Sequence, residues 1–150
     1  MDKFKKPPIG ICIHHSATTD GSHLDADAIR RYHIQTNGWD DIGYHALVER
    51  VNGQIRVVPG RSIEMQGAHC PALNASYLGL CIVGNFDLTT PDNDLLDVAA
   101  AWCRQQMEHY KMDLRRIVYH CDYSSKTCPG MNFPKGGFLL QLAGEERPGL

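Results

Sequence analysis

The chain has 150 residues, and its 15 lysines and arginines against 17 aspartates and glutamates give a formal net charge of −2. That balance argues against binding nucleic acid or an anionic membrane through bulk charge. A hydrophobic fraction of 43% argues against disorder, and the length predicts a single domain over residues 1–150.

Neither a membrane span nor a signal peptide is predicted. The sequence contains no run of about 18 apolar residues, and the apolar stretch at 9–13 is too short for a signal peptide. We therefore expect synthesis in the cytoplasm, a monomer, and neither nucleic acid nor membrane as a partner.

The chain alternates between apolar runs typical of strands and patterns typical of helices. In chain order, the predicted strands cover residues 9–14, 42–51, 54–58, 77–84 and 114–119. The predicted helices cover residues 25–36, about 91–110 and 138–142. Loops are expected at 16–22 and, as a functional loop without any period, at 61–74. This order predicts an α/β fold with a central mixed β-sheet flanked by helices.

Local patterns set the limits of these elements. Asn52-Gly53 predicts a tight hairpin between the second and third strands. Thr90 is expected to cap the long helix, with Pro91 in its first turn. The buried face of that helix is marked by apolar residues at helical spacing, namely Leu95, Val98, Ala99, Trp102 and Met107.

Six cysteines and eight histidines are the unusual counts. The absence of a C-x-x-C pair argues against a zinc ribbon or a thioredoxin-type site. Cys12, Cys81 and Cys103 lie among apolar residues and are expected to be small buried side chains. Any metal site must therefore mix residue types.

Three candidate metal ligands end or follow predicted strands. His14 closes the first strand, His120 closes the last, and Cys128 follows eight residues later. Imidazole and thiolate ligands suit Zn²⁺, and three of them leave a fourth position open for water. By period two, His15 points away from His14, and His45 points away from Tyr44, so we expect structural roles for both. His33 is expected to pack near Trp39.

Five motifs resemble one family, the zinc-dependent N-acetylmuramoyl-L-alanine amidases of the phage T7 lysozyme and peptidoglycan-recognition-protein superfamily. They lie at residues 13–18 (Ile-His-His-Ser-Ala-Thr), 38–45 (Gly-Trp-Asp-Asp-Ile-Gly-Tyr-His), 67–69 (Gly-Ala-His), 78–86 (Leu-Gly-Leu-Cys-Ile-Val-Gly-Asn-Phe) and 120–129. The resemblance covers a core of about residues 9–134, in the family's order, and implies that family's fold.

The resemblance implies a role for each matching position. His14, His120 and Cys128 match the ligands of one zinc ion per chain. Tyr44 and Lys126 match the catalytic tyrosine and lysine. We assign Lys126 to the developing oxyanion, whereas Tyr44 could hydrogen-bond either the zinc water or the oxyanion.

The resemblance also places His69, and with it Asn74, in the substrate groove as substrate-binding residues. Cys70 and Cys121 neighbour these site positions but are expected not to bind the metal.

The implied activity is hydrolysis of the amide between N-acetylmuramic acid and L-alanine in peptidoglycan or muropeptide. An endolysin of a phage or prophage, acting on the bacterial cell wall with an antimicrobial effect, is the favoured setting. A cytoplasmic enzyme that recycles muropeptides is the alternative setting. Two other hypotheses are a non-catalytic peptidoglycan-recognition module and an α/β domain in which Cys128 is purely structural.

Overall fold

Five strands form one mixed sheet at the centre of the computed structural model, which describes residues 1–18 and 25–144. The strands are β1 (Gly10–His15), β2 (Ala46–Val51), β3 (Gln54–Pro59), β4 (Tyr77–Ile82) and β5 (Ile117–Tyr119). Their order is β3-β2-β4-β1-β5, with β3 antiparallel to β2 and the other neighbouring pairs parallel. The predicted mixed sheet is confirmed. Residues 19–24, which include the second half of the loop expected at 16–22, lie outside the described residues.

Three α-helices accompany the sheet in the described part of the chain, namely α1 (Ala26–Arg31), α2 (Asn93–Tyr110) and α3 (Lys135–Leu142). The pattern at 25–36 is helical throughout, because α1 continues into a π-helical turn at Tyr32–Thr36. Within residues 1–18 and 25–144, the helices lack the combination of length and apolar character needed to cross a membrane.

Several predicted boundaries are wrong: β2 begins at Ala46 rather than at 42, β4 ends at Ile82 rather than at 84, and α3 begins at Lys135 rather than at 138. Two further errors have a local cause. Asp92 rather than Thr90 caps α2, because its carboxylate accepts a hydrogen bond from the N–H of Leu95 at 3.0 Å. The last strand begins only at Ile117, because Leu114–Arg116 forms a 3₁₀ turn capped by Asp113. The hairpin is confirmed: Asn52 and Gly53 have φ angles of 53° and 77°, as a two-residue hairpin turn requires.

One side of the sheet, here called the α2 face, is apolar and covered by α2 and α3. Alternate strand residues point to it, because successive side chains of a strand face opposite sides. They are Ile11, Ile13, Ala46, Val48, Leu78, Leu80, Ile82, Ile117 and Tyr119. From α2, Leu95 and Ala99 are buried as predicted, together with Leu96, Ala100 and Cys103. Val98, Trp102 and Met107 are only partly buried.

The other side, here called the site face, carries the intervening strand residues Cys12, His14, Leu47, Glu49, Tyr77, Gly79 and Cys81. Helix α1 and the loop at 61–76 cover it. Glu49 fixes α1 to the sheet: its buried carboxylate accepts hydrogen bonds from the N–H of Ala26 at 2.7 Å and from Arg56 at 2.7 Å. Cys12, Cys81 and Cys103 are buried free thiols, as predicted.

Candidate metal centre

The carboxyl ends of β1 and β5 bring two histidines together. Parallel pairing places Ile13 opposite Tyr119, so the next residues, His14 and His120, emerge side by side with ring centroids 4.6 Å apart. Cys128 returns to this corner because its carbonyl accepts a hydrogen bond from the N–H of Cys121 at 2.8 Å. The ligand atoms of His14, His120 and Cys128 lie within 4.8 Å of one another, and all three residues are buried.

The donor set fits a tetrahedral zinc ion. Bonds of about 2.0–2.1 Å to nitrogen and 2.3 Å to sulfur would place two such ligand atoms about 3.5 Å apart. Nδ1 of His14 lies 3.7 Å from Sγ of Cys128. Two imidazoles and a thiolate also match the ligand types that Zn²⁺ prefers. The residues present therefore suit the metal that the sequence predicts.

The protonation states of the three ligands respond to burial. Burial raises the pKa of the Cys128 thiol to about 12, and the N–H of His15, which donates to Sγ at 3.3 Å, opposes that rise. Burial, together with the neighbouring His69 and His120, holds the pKa of His14 well below its ordinary value. Burial and the charge of Lys126 lower the pKa of His120. The imidazoles are thus kept neutral, as metal binding requires, and a cation would stabilise the Cys128 thiolate.

Tyr44 and Lys126 share a cleft with two of these ligands. The cleft holds about 360 Å³ and is lined by His15, Ser16, Ala17, Tyr44, Asp87, His120, Lys126, Thr127 and Cys128. The ring of Tyr44 lies 5.2 Å from that of His14. Burial raises the pKa of Tyr44 well above its ordinary value. Lys126 is exposed.

A second cavity of about 270 Å³ adjoins this cleft through Ser16 and Tyr44. Its other lining residues come from α1 and the residues around it, namely Thr18, Ala28, Ile29, Tyr32 and His33. The two cavities are together called the groove below, and His120 and Cys128 line the first of them.

His69 and Asn74 have partners within the protein. His69 is buried, with Nδ1 2.9 Å from Nε2 of His14 and Nε2 3.1 Å from the carbonyl oxygen of Tyr77. The side-chain oxygen of Asn74 accepts hydrogen bonds from the N–H groups of His69 and Cys70, each at 2.9 Å. Substrate contacts through these two residues stay a prediction, and the geometry gives both side chains an internal role.

The other singled-out histidines are held by backbone groups. Nδ1 of His15 accepts from the N–H of Phe86 at 3.0 Å, and Nδ1 of His45 accepts from Gly79 at 2.9 Å. His33 accepts from Gly43 at 3.0 Å and lies 4.7 Å from the ring of Trp39. These contacts are those expected of structural residues, although His15 also lines the cleft and His33 the second cavity.

A second cluster, which the sequence does not predict, lies beside the candidate metal centre. Cys12, His14 and His69 also bring their ligand atoms within 4.8 Å of one another. However, the 2.9 Å between the two imidazole nitrogens is a hydrogen-bond distance, whereas two nitrogens on one zinc lie about 3.3 Å apart. Cys70 and Cys121 belong to neither group of potential ligands found among the described residues.

This mixed α/β domain, with a ligand corner at the ends of parallel strands, resembles known proteins. The family model for N-acetylmuramoyl-L-alanine amidase matches residues 4–131. Peptidoglycan-recognition protein SC1a of Drosophila melanogaster is 28% identical over 127 residues, covering 79% of this chain and 65% of that protein's length. The endolysin of Klebsiella phage KP32 is 27% identical over 128 residues, covering 83% of this chain and 82% of the endolysin.

Among solved structures, N-acetylmuramoyl-L-alanine amidase LysC from Clostridium intestinale URNW matches with a TM-score of 0.79 and 26% identity, covering 91% of this chain and 86% of that one. Because the family model covers most of its length, the chain belongs to the N-acetylmuramoyl-L-alanine amidase family. The resemblance and the fold predicted from the motifs are confirmed.

Proposed function

We propose that this chain is a zinc-dependent amidase that hydrolyses the bond between N-acetylmuramic acid and L-alanine, with one zinc ion per chain. The observation that carries the proposal is the convergence of His14, His120 and Cys128 at one end of a cleft that also contains Tyr44 and Lys126. Membership of the amidase family supports this reaction.

The arrangement of ligands favours catalysis over a structural metal. Structural zinc is normally held by four protein ligands, whereas catalytic zinc has three and an open position. Three ligands meet here, and His120 and Cys128 line the open cleft. Zinc bound there would polarise the scissile carbonyl and lower the pKa of a water molecule.

Lys126 supplies positive charge where the reaction develops negative charge. The exposed Lys126 side chain lines the cleft, and its positive charge lowers the pKa of His120. A fixed cation stabilises the carbonyl oxygen most when that oxygen becomes an oxyanion. We therefore assign oxyanion stabilisation to Lys126.

Tyr44 acts as a hydrogen-bond donor. Since burial raises the pKa of its phenol well above the ordinary value, the hydroxyl keeps its proton near neutral pH. A protonated phenol can donate to the carbonyl oxygen of the substrate, whereas a base would have to lose that proton first. Its position between the two cavities lets it contact a substrate lying in the groove.

Peptidoglycan is the proposed substrate, and a phage or prophage lysin the proposed setting. The relative from Klebsiella phage KP32 is an endolysin, and the match covers 82% of its length. The cleft presents the charged side chains of Asp87 and Lys126, and the cavity beside α1 presents a mainly apolar surface, which together suit a ligand with a sugar and a peptide part.

Mass spectrometry of peptidoglycan digested by the zinc-loaded protein tests the reaction. We expect free stem peptides that begin with L-alanine, together with intact glycan strands. Neither product should form when a chelator removes the zinc. Protein that holds one zinc ion and binds peptidoglycan without cutting it would instead be a recognition module, as the relative SC1a is named.

The setting needs a separate measurement. Rates on polymeric sacculi and on soluble muropeptides should be compared at equal concentrations of stem peptide. Faster cleavage of sacculi is expected for a lysin, whereas a preference for the soluble substrate would favour a recycling enzyme.

A further inference from the structure

We infer that His69 is a positioning residue that holds His14 with its proton on Nε2, so that the lone pair of Nδ1 faces the metal. The inference rests on the zinc site proposed above. It gives a role to a buried imidazole that contacts His14, one of the proposed ligands, and is not among the residues that line the cleft.

The proton positions follow from one fixed acceptor. The carbonyl oxygen of Tyr77 can only accept, so Nε2 of His69, 3.1 Å away, must carry the proton. A neutral imidazole has one N–H, which leaves a lone pair on Nδ1 of His69. That atom lies 2.9 Å from Nε2 of His14, which must therefore donate. Nδ1 of His14 is left as the lone pair 3.7 Å from Sγ of Cys128.

Two glycines make room for the His69 ring. A Cβ atom on Gly79 would lie 2.6 Å from Cγ of His69, and one on Gly67 would lie 2.6 Å from its Cδ2. Both distances are far inside van der Waals contact. The ring therefore sits directly against β4 and the loop at 61–76, and its position is set by backbone on two sides.

The backbone of His69 is fixed as well. The side-chain oxygen of Asn74 accepts hydrogen bonds from the N–H groups of His69 and Cys70, so one side chain fixes the backbone on which the imidazole stands. Hydrogen bonds thus connect Asn74 to His69 and His69 to His14. Partners of this kind fix the tautomer and orientation of a ligating histidine, and losing one typically lowers metal affinity about 10- to 100-fold.

Nitrogen-15 NMR of the imidazoles tests the tautomers directly, in zinc-loaded and in chelator-treated full-length protein. We expect a protonated Nε2 and an unprotonated Nδ1 in both His14 and His69, with a scalar coupling across the bond between them. A proton on Nδ1 of His14 in the metal-free protein would overturn the inference. Because this measurement uses the unchanged sequence, it does not depend on how a variant folds.

Zinc affinity, measured by competition with a chromophoric chelator, gives a second test. His69→Phe keeps a ring but removes the acceptor, and we expect about 10- to 100-fold weaker binding. His69→Asn places an oxygen near the position of Nδ1 and should recover most of that loss.

The matched control is His45→Phe. His45 is also buried and its ring lies 5.9 Å from that of His69, but among the described residues its imidazole hydrogen-bonds to Gly79 and to the carbonyl of Met65 and not to His14. This variant should lose stability and keep the zinc affinity of the unchanged protein. A folded His69→Phe protein with unchanged zinc affinity would overturn the inference. If the unchanged protein itself failed to bind zinc, the proposed function would be wrong. The NMR measurement of the tautomers would still show whether His69 accepts a hydrogen bond from His14.

Discussion

The two faces of the sheet use the same strands for different purposes. Ile13 and His14 are neighbours in β1, yet Ile13 packs into the α2 face and His14 belongs to the metal corner. On the α2 face, the removal of apolar side chains from water stabilises the folded state, and these contacts need no specific direction. The site face buries imidazoles, thiols and the carboxylate of Glu49, each of which costs free energy unless it is bonded.

The difference shows how the domain offsets the cost of a polar interior. His14, His45, His69 and Glu49 each have a hydrogen-bond partner within the protein. Stability is therefore supplied mainly by one face and directional chemistry by the other. Changes to the two faces should separate stability from metal binding and turnover.

Matched substitutions of two buried cysteines give the largest expected contrast. Cys128→Ser removes a ligand of the proposed zinc. Since a catalytic metal stabilises the transition state by several kcal/mol, its loss should lower turnover about 10³-fold. Zinc content and the rate of peptide release check it. Cys103→Ser, on the α2 face, should cost about 1–3 kcal/mol of stability and keep the zinc. Retention of full activity by Cys128→Ser would refute the ligand assignment.

Leu80→Ala tests the α2 face. Leu80 is completely buried, so the transfer term and the cavity should together lower the free energy of unfolding by about 2–5 kcal/mol. Urea denaturation measures this loss, and zinc affinity of the folded protein should stay the same. Val57→Ala, on the more exposed β3, is the control and should cost much less. Equal losses would mean that the α2 face is not the main source of stability.

Lys126→Met tests the charge at the cleft. We expect kcat to fall about 10²- to 10³-fold, the range found when one donor to an oxyanion is removed. Because Lys126 is exposed, the melting temperature should barely change. Lys6→Met, which removes the same charge from an exposed lysine outside the cleft, should leave kcat unaltered. A rise in KM with unchanged kcat would instead indicate substrate binding alone.

The smallest expected effect is a pH dependence that belongs to the site face. Burial lowers the pKa of His45 to about 4, although the hydrogen bond to the carbonyl of Met65 opposes the shift. Between pH 4 and about 6.5, His45 is protonated in the unfolded chain but neutral in the folded protein. The free energy of unfolding is therefore highest above this range and falls as the pH falls through it. The shift corresponds to on the order of 3 kcal/mol.

Denaturation of the chelator-treated protein at pH 7 and pH 4.5 measures this loss. His45→Phe is less stable at both values but should show a shallower dependence on pH. His109→Gln, an exposed position near the end of α2, should keep the slope of the unchanged protein. Identical slopes for all three proteins would rule out His45 as a source of acid sensitivity.

Much of the fold was predictable because it depends on local pattern. Apolar runs located all five strands, and Asn52-Gly53 located the hairpin. The errors lie where two local solutions compete: Thr90 and Asp92 can both cap a helix, and only the bond to Leu95 decides between them. Similarly, the sequence marks Trp102 as buried, but packing of α2 places Cys103 deeper.

For the candidate metal centre, the chain itself carries the residue types of the three proposed ligands and their places at or after predicted strands, and the resemblance to the amidase family joined them into one set. The convergence of His14, His120 and Cys128 depends on the pairing of β1 with β5, which joins residues more than 100 positions apart. The bond between His14 and His69 likewise exists only because Gly79 on β4 leaves room for a ring. Tertiary structure alone decides such contacts, because they join groups that no local pattern relates.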